Sequence, residues 1–393
     1  VCGYPGGGVN IVPGDPGTTT RPTGHATNAG PPPGRQETCV SRPTLADVAT
    51  RAGVSVSTAS LAFSGAGPIA EATRQRVLTA AAELDYSGPN PLGRQLRSGR
   101  SGIVGVVVGD ALKRSFRDPV SVQLLDGLVD TIAPAGLGVL LIPGPTGADE
   151  PAVDPLIESA AMDVAVMIWG GTTEDPTLQA LRRRGIPAVV VEGHELGDIV
   201  TVGIGDRDGV AALARHLLDL GHQRIATVTL PFGPDRRSAV ADQDRIADIR
   251  WKIAERRLAG LADAGVRPTA VYETPASLVE HGTAAAHALL SGDPAERPTA
   301  IVAQSDLLAS GVVIGARELG LRVPEDVSVA GFDGLDLPWL TPDVLTTVEQ
   351  PIAEKGAVVG RAVQRLLAGE QPEDAVLPVS LRVGSTTGPA PSL

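Results

Sequence analysis

From Ile103 onward the chain alternates short, wholly apolar runs with stretches of helical period, and few folds accept that pattern. A strand that is apolar at every position must be covered on both faces, which is the habit of parallel sheets flanked by helices. Strands are expected at Ile103–Val108, Gly138–Ile142, Val164–Ile168, Ala188–Val191, Ile225–Leu230, Thr299–Ala303 and Val327–Gly331. Helices are expected between them, at Ser121–Ala133, Thr177–Arg184, Gly209–Leu220, Arg250–Ala264, His281–Leu290 and Leu308–Leu319. Roughly 300 residues is long for one such sheet. The expected fold is therefore an α/β body, residues 103–387, of two doubly wound parallel-sheet subdomains with a ligand cleft between them.

The preceding stretch has a different texture. Residues 42–86 predict three short helices, a small all-α helix-turn-helix head. Thr44 caps the first helix with Asp47 at its third position, and Gly53 ends it. Ser55 caps the second, which runs to about Ser64. The third spans Glu71 to Asp85, with Val77, Leu78, Ala81 and Leu84 on one face. Ala49 and Val54 are small enough for the first two helices to cross closely. The second helix would then expose Val56, Ser57, Ser60 and Leu61, whose hydroxyls can reach bases or phosphates and whose apolar groups suit a thymine methyl.

Residues 87–102 form a connector in which Asn90 can cap a short helix and Pro91 suits its first position. Leu92 and Leu96 share one face, with Arg94 and Arg97 beside them. So short a helix folds only on a partner. Residues 1–41 are rich in Gly, Pro and Thr without periodicity and are expected to be disordered; residues 388–393 are a tail.

Charge supports this division. The chain carries −12 overall, yet residues 42–100 hold seven arginines against four carboxylates, a net +3, and residues 101–393 hold −15. A basic head can meet phosphate while the acidic body repels it.

Most enzyme signatures are absent. No GxGxxG follows Ile103–Val108, and neither GxxxxGK[ST] nor GxSxG occurs. His194-Glu195 lacks the second histidine of a zinc helix, Asp198 standing in its place. The two cysteines, Cys2 and Cys39, precede the folded part, which excludes a disulfide framework or Cys-rich zinc site there. No cofactor, no metal and no enzymatic activity are expected. No apolar run is long enough to span a membrane, and nothing at the N-terminus reads as a secretory signal; a cytoplasmic protein is expected.

The order LADVATRAGVSVSTAS, TRQRVLTAAAELDY, NPLGRQLRSGRS and GIVGVVV resembles the lactose/galactose-repressor family of bacterial transcription regulators. The resemblance continues through DGVAALARHLLDLGHQRIATV, DLLASGVVIGARELGLRVPEDVSVAGFDG and LTTVEQP, covering roughly residues 42–387. It implies a DNA-binding head, a hinge helix and a periplasmic-binding-protein-like body that dimerises on palindromic operator DNA. It implies a recognition helix at Ser55–Phe63 and a hinge leucine, Leu96, that wedges into the minor groove. DNA contacts are then expected from Thr44, Ser55, Val56, Ser57, Thr58, Ser60, Leu61, Asn90, Arg94, Leu96 and Arg97.

Three departures from the family pattern stand out. Leu61 occupies the place of a guanine-reading Arg. Ala70 stands where the third helix usually has a Ser cap, a difference of about 1 kcal/mol. Gly93 replaces a helix-favouring Ala, at about 0.8–1.0 kcal/mol.

For the effector, a sugar-like or nucleoside-like molecule, the resemblance points to Asp208, Ser305, Asp306 and Asp333, and to Arg250 as the ligand-clamping arginine. Phe116 and Trp169 are candidates for stacking on a ligand ring, and Asp118 is a further candidate. Asp306 also reads as a helix N-cap, and Trp169 as core. A transport solute-binding protein shares the body fold and is the alternative; the head and hinge argue against it. Because the first residue is Val1 and the only methionines are Met162 and Met167, a start at Val40 is expected, with residues 1–39 as upstream sequence.

Overall fold

The computed structural model describes residues 43–64, 67–89, 99–109, 111–144, 153–170, 172 and 174–391. Asn90, Gly93, Arg94, Leu96 and Arg97, and the whole of residues 1–42, lie outside the described residues. The chain divides into two units, Val1–Asn90 and Pro91–Leu393.

The first unit holds α1 (Leu45–Ala52), α2 (Val56–Ser64) and α3 (Glu71–Glu83). Helix α1 starts at a capping box: the Asp47 amide donates to Thr44 Oγ1 at 3.4 Å, and the Thr44 amide donates to the Asp47 carboxylate at 2.8 Å. Its end is a Schellman turn. Gly53 takes φ +64°, its amide donates to Thr50 O at 3.2 Å, and the Val54 amide donates to Ala49 O at 3.0 Å. Helix α2 starts where Ser55 Oγ accepts from the Thr58 amide at 3.1 Å. Helix α3 starts at Ala70, which makes no side-chain cap. Small side chains let the helices close in: the core is Val48, Ala49, Ala59, Ala62, Val77, Ala80 and Ala81. Phe63 and Tyr86 pack beside it edge to face at 5.7 Å.

The second unit is the α/β body. Its strands are β1 (Ile103–Val108), β2 (Gly138–Pro143), β3 (Val164–Ile168), β4 (Ala188–Val191), β5 (Val200–Ile204), β6 (Ile225–Thr229), β7 (Ala239–Val240), β8 (Val271–Glu273), β9 (Ala300–Ala303), β10 (Ser328–Asp333), β11 (Thr346–Glu349), β12 (Ala375–Leu377) and β13 (Ser380–Arg382). Its helices are α4 (Leu112–Ser115), α5 (Pro119–Ile132), α6 (Pro155–Ser159), α7 (Pro176–Arg183), α8 (Asp206–Asp219), α9 (Gln243–Ala247), α10 (Lys252–Asp263), α11 (Val279–Leu290), α12 (Asp306–Glu318) and α13 (Ile352–Leu367).

Among the described residues the strands form two sheets. The first lobe has the order β12-β5-β4-β3-β1-β2 and is parallel throughout. The second has the order β13-β11-β10-β9-β6-β8-β7, parallel except at its two edge pairs. Strands β3, β4 and β5 are buried at every position, which is why β3 and β4 are apolar without alternation and β5 is apolar but for Thr201. Among the described residues the chain passes between lobes three times: at Gly205 after β5, at Gln350-Pro351 before α13, and at Pro378-Val379 between β12 and β13.

Besides β5 and the one-turn helices α4, α6 and α9, two groups of elements escape the sequence reading. Strands β7, β8, β11, β12 and β13 are only two to four residues long, too short for periodicity to register. Helix α13 contains Gly356 and Gly360, which read as breakers. Here they serve close approach: a Cβ at Gly356 would strike the Leu124 carbonyl of α5, and one at Gly127 the Ala353 carbonyl of α13.

Candidate functional site

Between the lobes lies a cleft of about 690 Å³ counting its open mouth, of the size that holds a small ligand. The strands deliver their C-terminal ends to it: Gly109 follows β1, Trp169 follows β3, Glu192 follows β4, Ser305 comes two residues after β9, and Asp333 closes β10. Five described non-glycine residues have positive φ. Asp85 is in the head; Trp169 (+57°), Glu192 (+56°), Arg236 (+44°) and Asp333 (+135°) all line the cleft. Backbone held in costly conformations gathers where side chains must be aimed.

On the second lobe the centre is Arg257, 1% exposed on α10. Its Nε donates to Asp206 Oδ1 at 2.8 Å, its Nη1 donates to the Gln304 carbonyl, and its Cζ lies 3.6 Å from the Phe332 ring centroid. Nη1 stands 3.9 Å from Asp333 Oδ1, which accepts from Gln350 Nε2 at 2.7 Å. Arg257 Nη2 is buried without a hydrogen-bond partner. Burial, with the carboxylates of Asp306 and Asp118, holds Asp333 well above the usual carboxylate range despite Arg257. Ser305 caps α12 by accepting from the Leu308 amide at 3.2 Å, and also accepts from Ser277 at 2.9 Å.

The first lobe supplies Asp118, Ser121 and Trp169. Asp118 caps α5, accepting from the Val120 amide at 3.0 Å, and burial, reinforced by Glu192, pushes it up to about 6. Ser121 Oγ is buried and has no hydrogen-bond partner. Trp169 Nε1 donates to Glu192 at 3.0 Å. Burial would raise Glu192, but Lys355 and Arg257 hold it below its ordinary value. Arg236 Nη2 crosses from the second lobe to the Gly109 carbonyl at 3.0 Å, while its guanidinium lies over the Trp251 ring.

Of the residues expected to face an effector, the cleft brings together Asp118, Trp169, Ser305 and Asp333. Four need correction. Phe116 is 56% exposed at the end of α4, while Ser115 of the same turn faces the cleft. Asp208 is exposed in the first turn of α8; two residues along a helix is about 200° around it, so Asp206 is the one turned inward. Arg250 precedes α10, largely exposed beside Asp248 and bordering a smaller neighbouring pocket with His194. The buried place belongs to Arg257, almost two turns further on. Asp306 is fully buried, and its carboxylate accepts from the Thr347 hydroxyl at 2.5 Å and the Leu335 amide at 2.7 Å, joining α12 to β11 and the segment after β10. The missed Arg257 had a signal: it falls on the helical stripe of Ala254 and Leu261, an arginine where an apolar residue belongs.

In the head, Val56 (50% exposed), Ser57 and Leu61 (37% exposed) form the outer face of α2 with Ser55 at its start. Ser60 and Thr58 are half-buried, and the Thr58 hydroxyl meets Ser55 Oγ at 2.8 Å. Thr44 is exposed but engaged with Asp47.

A helix-turn-helix head joined to a two-lobed body with a polar interlobe cleft defines a ligand-responsive DNA-binding regulator. Comparison with known proteins narrows the class. Residues 44–90 match the model described as bacterial regulatory proteins, lacI family, and residues 214–387 match the periplasmic binding protein-like domain. HTH-type transcriptional regulator Rv3575c of Mycobacterium tuberculosis is 32% identical over 357 residues, 88% of this chain and 98% of that protein. HTH-type transcriptional regulator IpsA of Corynebacterium glutamicum is 30% identical, with the same coverage. The lac repressor dimer bound to operator and the anti-inducer ONPF superposes with a TM-score of 0.73 at 25% identity, over 88% of this chain and 99% of that one. A CelR–cellobiose complex gives 0.61 at 28% identity, over 88% and 100%.

The chain belongs to the lacI family of bacterial regulatory proteins and is a helix-turn-helix transcriptional regulator. The transport alternative is disfavoured by the match to the DNA-binding head. Among the described residues no helix is long and apolar enough to cross a membrane, and no group of side chains could hold a metal ion.

Proposed function

We propose that this regulator is a cytoplasmic, homodimeric repressor without catalytic activity, controlled by a polyhydroxylated, sugar-like effector in the interlobe cleft. We assign residues 42–86 to the head, 87–102 to the connector and 103–387 to the body. Ser55, Val56, Ser57, Ser60 and Leu61 would face bases, with Asn90, Arg94, Leu96 and Arg97 adding connector contacts. The observation that carries the effector class is the cleft's polar inventory. Arg257 Nη2 and Ser121 Oγ are buried without partners, close to the carboxylates of Asp118 and Asp333. A sugar hydroxyl both donates and accepts, so neighbouring hydroxyls can satisfy an arginine and a carboxylate together. Ring faces would meet Trp169 and Trp251. The relative solved with cellobiose supports this reading.

Ligand closing the cleft would change the relation of the lobes, and with it the head's affinity for DNA. Thermal-shift measurements on the full chain with D-glucose, cellobiose, myo-inositol and adenosine test the reading. A sugar or polyol should raise the unfolding midpoint, and Asp333→Ala should remove that response while leaving DNA binding intact. A response to adenosine alone would transfer the site to nucleosides.

A further inference from the structure

Lys355, on α13 one turn beyond the interlobe crossover Gln350-Pro351, is 0% exposed. A buried ammonium is tolerated only where acceptors surround it. Here its Nζ donates to Glu192 of the first lobe and to Gln350 Oε1 at 2.6 Å. Each acceptor holds a cleft residue in turn. The other Glu192 oxygen accepts the Trp169 indole N–H, and the Gln350 amide donates to Asp333. The sequence Trp169–Glu192–Lys355–Gln350–Asp333 is thus an unbroken chain of hydrogen bonds from one wall of the cleft to the other. Its two ends carry the unfavourable backbone φ values noted above, so their side-chain directions need outside support. Its centre is fixed, because the next residue, Gly356, packs against the backbone of α5 with no room for a Cβ.

We propose that Lys355 is a positioning residue for effector recognition: one buried ammonium sets Trp169 on the first lobe through Glu192 and Asp333 on the second through Gln350. Ligand geometry at both walls is then read at a single point beside a crossover. This rests on the cleft being the effector site, but one arm of its test does not.

Two full-chain variants are compared with the wild type. Lys355→Met removes the cation. Lys355→Met/Glu192→Gln removes both charges, so no lone carboxylate is left buried and folding is preserved. The first readout is the heteronuclear NOE of the tryptophan indole N–H groups, with Trp169 assigned through Trp169→Phe. It should fall for Trp169 in both variants while Trp251 and Trp339 keep theirs. The second is calorimetric binding of cellobiose and D-glucose, which should weaken by about tenfold or more in both variants. A merely structural ion pair would be dispensable once neutralised. Wild-type indole rigidity and wild-type sugar affinity in the double variant would therefore overturn the proposal. If neither sugar binds the wild-type protein, the sugar reading fails by itself, and the indole measurement still decides whether Lys355 positions Trp169.

Discussion

Asp118 shows how a single residue can be tuned by where it caps a helix. Its carboxyl is raised from 3.8 to about 6, chiefly by burial. Folding therefore favours the protonated form. The cost of ionising it is absent below the unfolded value, grows as pH rises from 3.8 towards 6, and then stays constant. Asp118→Asn keeps an oxygen for the Val120 amide and removes the charge. It should raise the unfolding midpoint at about pH 7.5 and leave it nearly unchanged at about pH 3.5. An equal change at both pH values would show that Asp118 is not the group responsible. Ser305 and Asp333 were reached through the family resemblance, and their places at the ends of apolar strands agree with where a doubly wound sheet presents side chains; Trp169, just after β3, read as core as readily as it read as a stacking residue. Arg257 and Lys355 were not legible from sequence, because a cation on a buried helical stripe announces itself only after the stripe is drawn. Asp208 was carried over by the resemblance; helix α8 begins at Asp206, and Asp206 is the carboxylate that turns inward.

Among the elements, α3 has the weakest start. Ala70 already has extended backbone, φ −63° and ψ 134°, but offers no side-chain acceptor to the first turn. Ala70→Ser should stabilise the helix by about 1 kcal/mol, slowing amide hydrogen exchange in its first turn roughly fivefold. Unchanged exchange would mean that water already serves as the cap. The first two helices of the head were readable because they carry their own punctuation, Thr44 with Asp47, Gly53 and Ser55, whereas α3 was read from its apolar face of Val77, Leu78, Ala81 and Leu84. The body's long elements were readable from their period. Helix α13 was not, since the glycines that let it lie against α5 are the residues that ordinarily argue against a helix. The edge strands β7, β12 and β13 owe their pairing to neighbours far away in the sequence, and no local window contains that information.

At the scale of the molecule, charge and connectivity set behaviour. The basic residues 42–100 and the acidic remainder predict DNA binding that is steeply salt-dependent. If two heads neutralise about four to six phosphates, affinity should fall by roughly two to three orders of magnitude between about 50 and 200 mM salt. Footprinting should show two symmetric half-sites, and salt-independent binding would contradict the assignment. The three passages between lobes have a consequence for biosynthesis. The first lobe has five of its strands by Ile204, yet its packing helix α13 begins only at Ile352 and its edge strand β12 at Ala375. At a synthesis rate of about 5–20 residues per second, roughly 7–30 s separate the end of β5 from the start of α13. Throughout that interval the unpaired edge of β5 and the glycine-bearing side of α5 stay uncovered on the nascent chain. Neither lobe can be finished on the ribosome before the other is nearly complete, so the two mature together rather than in the order in which their residues are made.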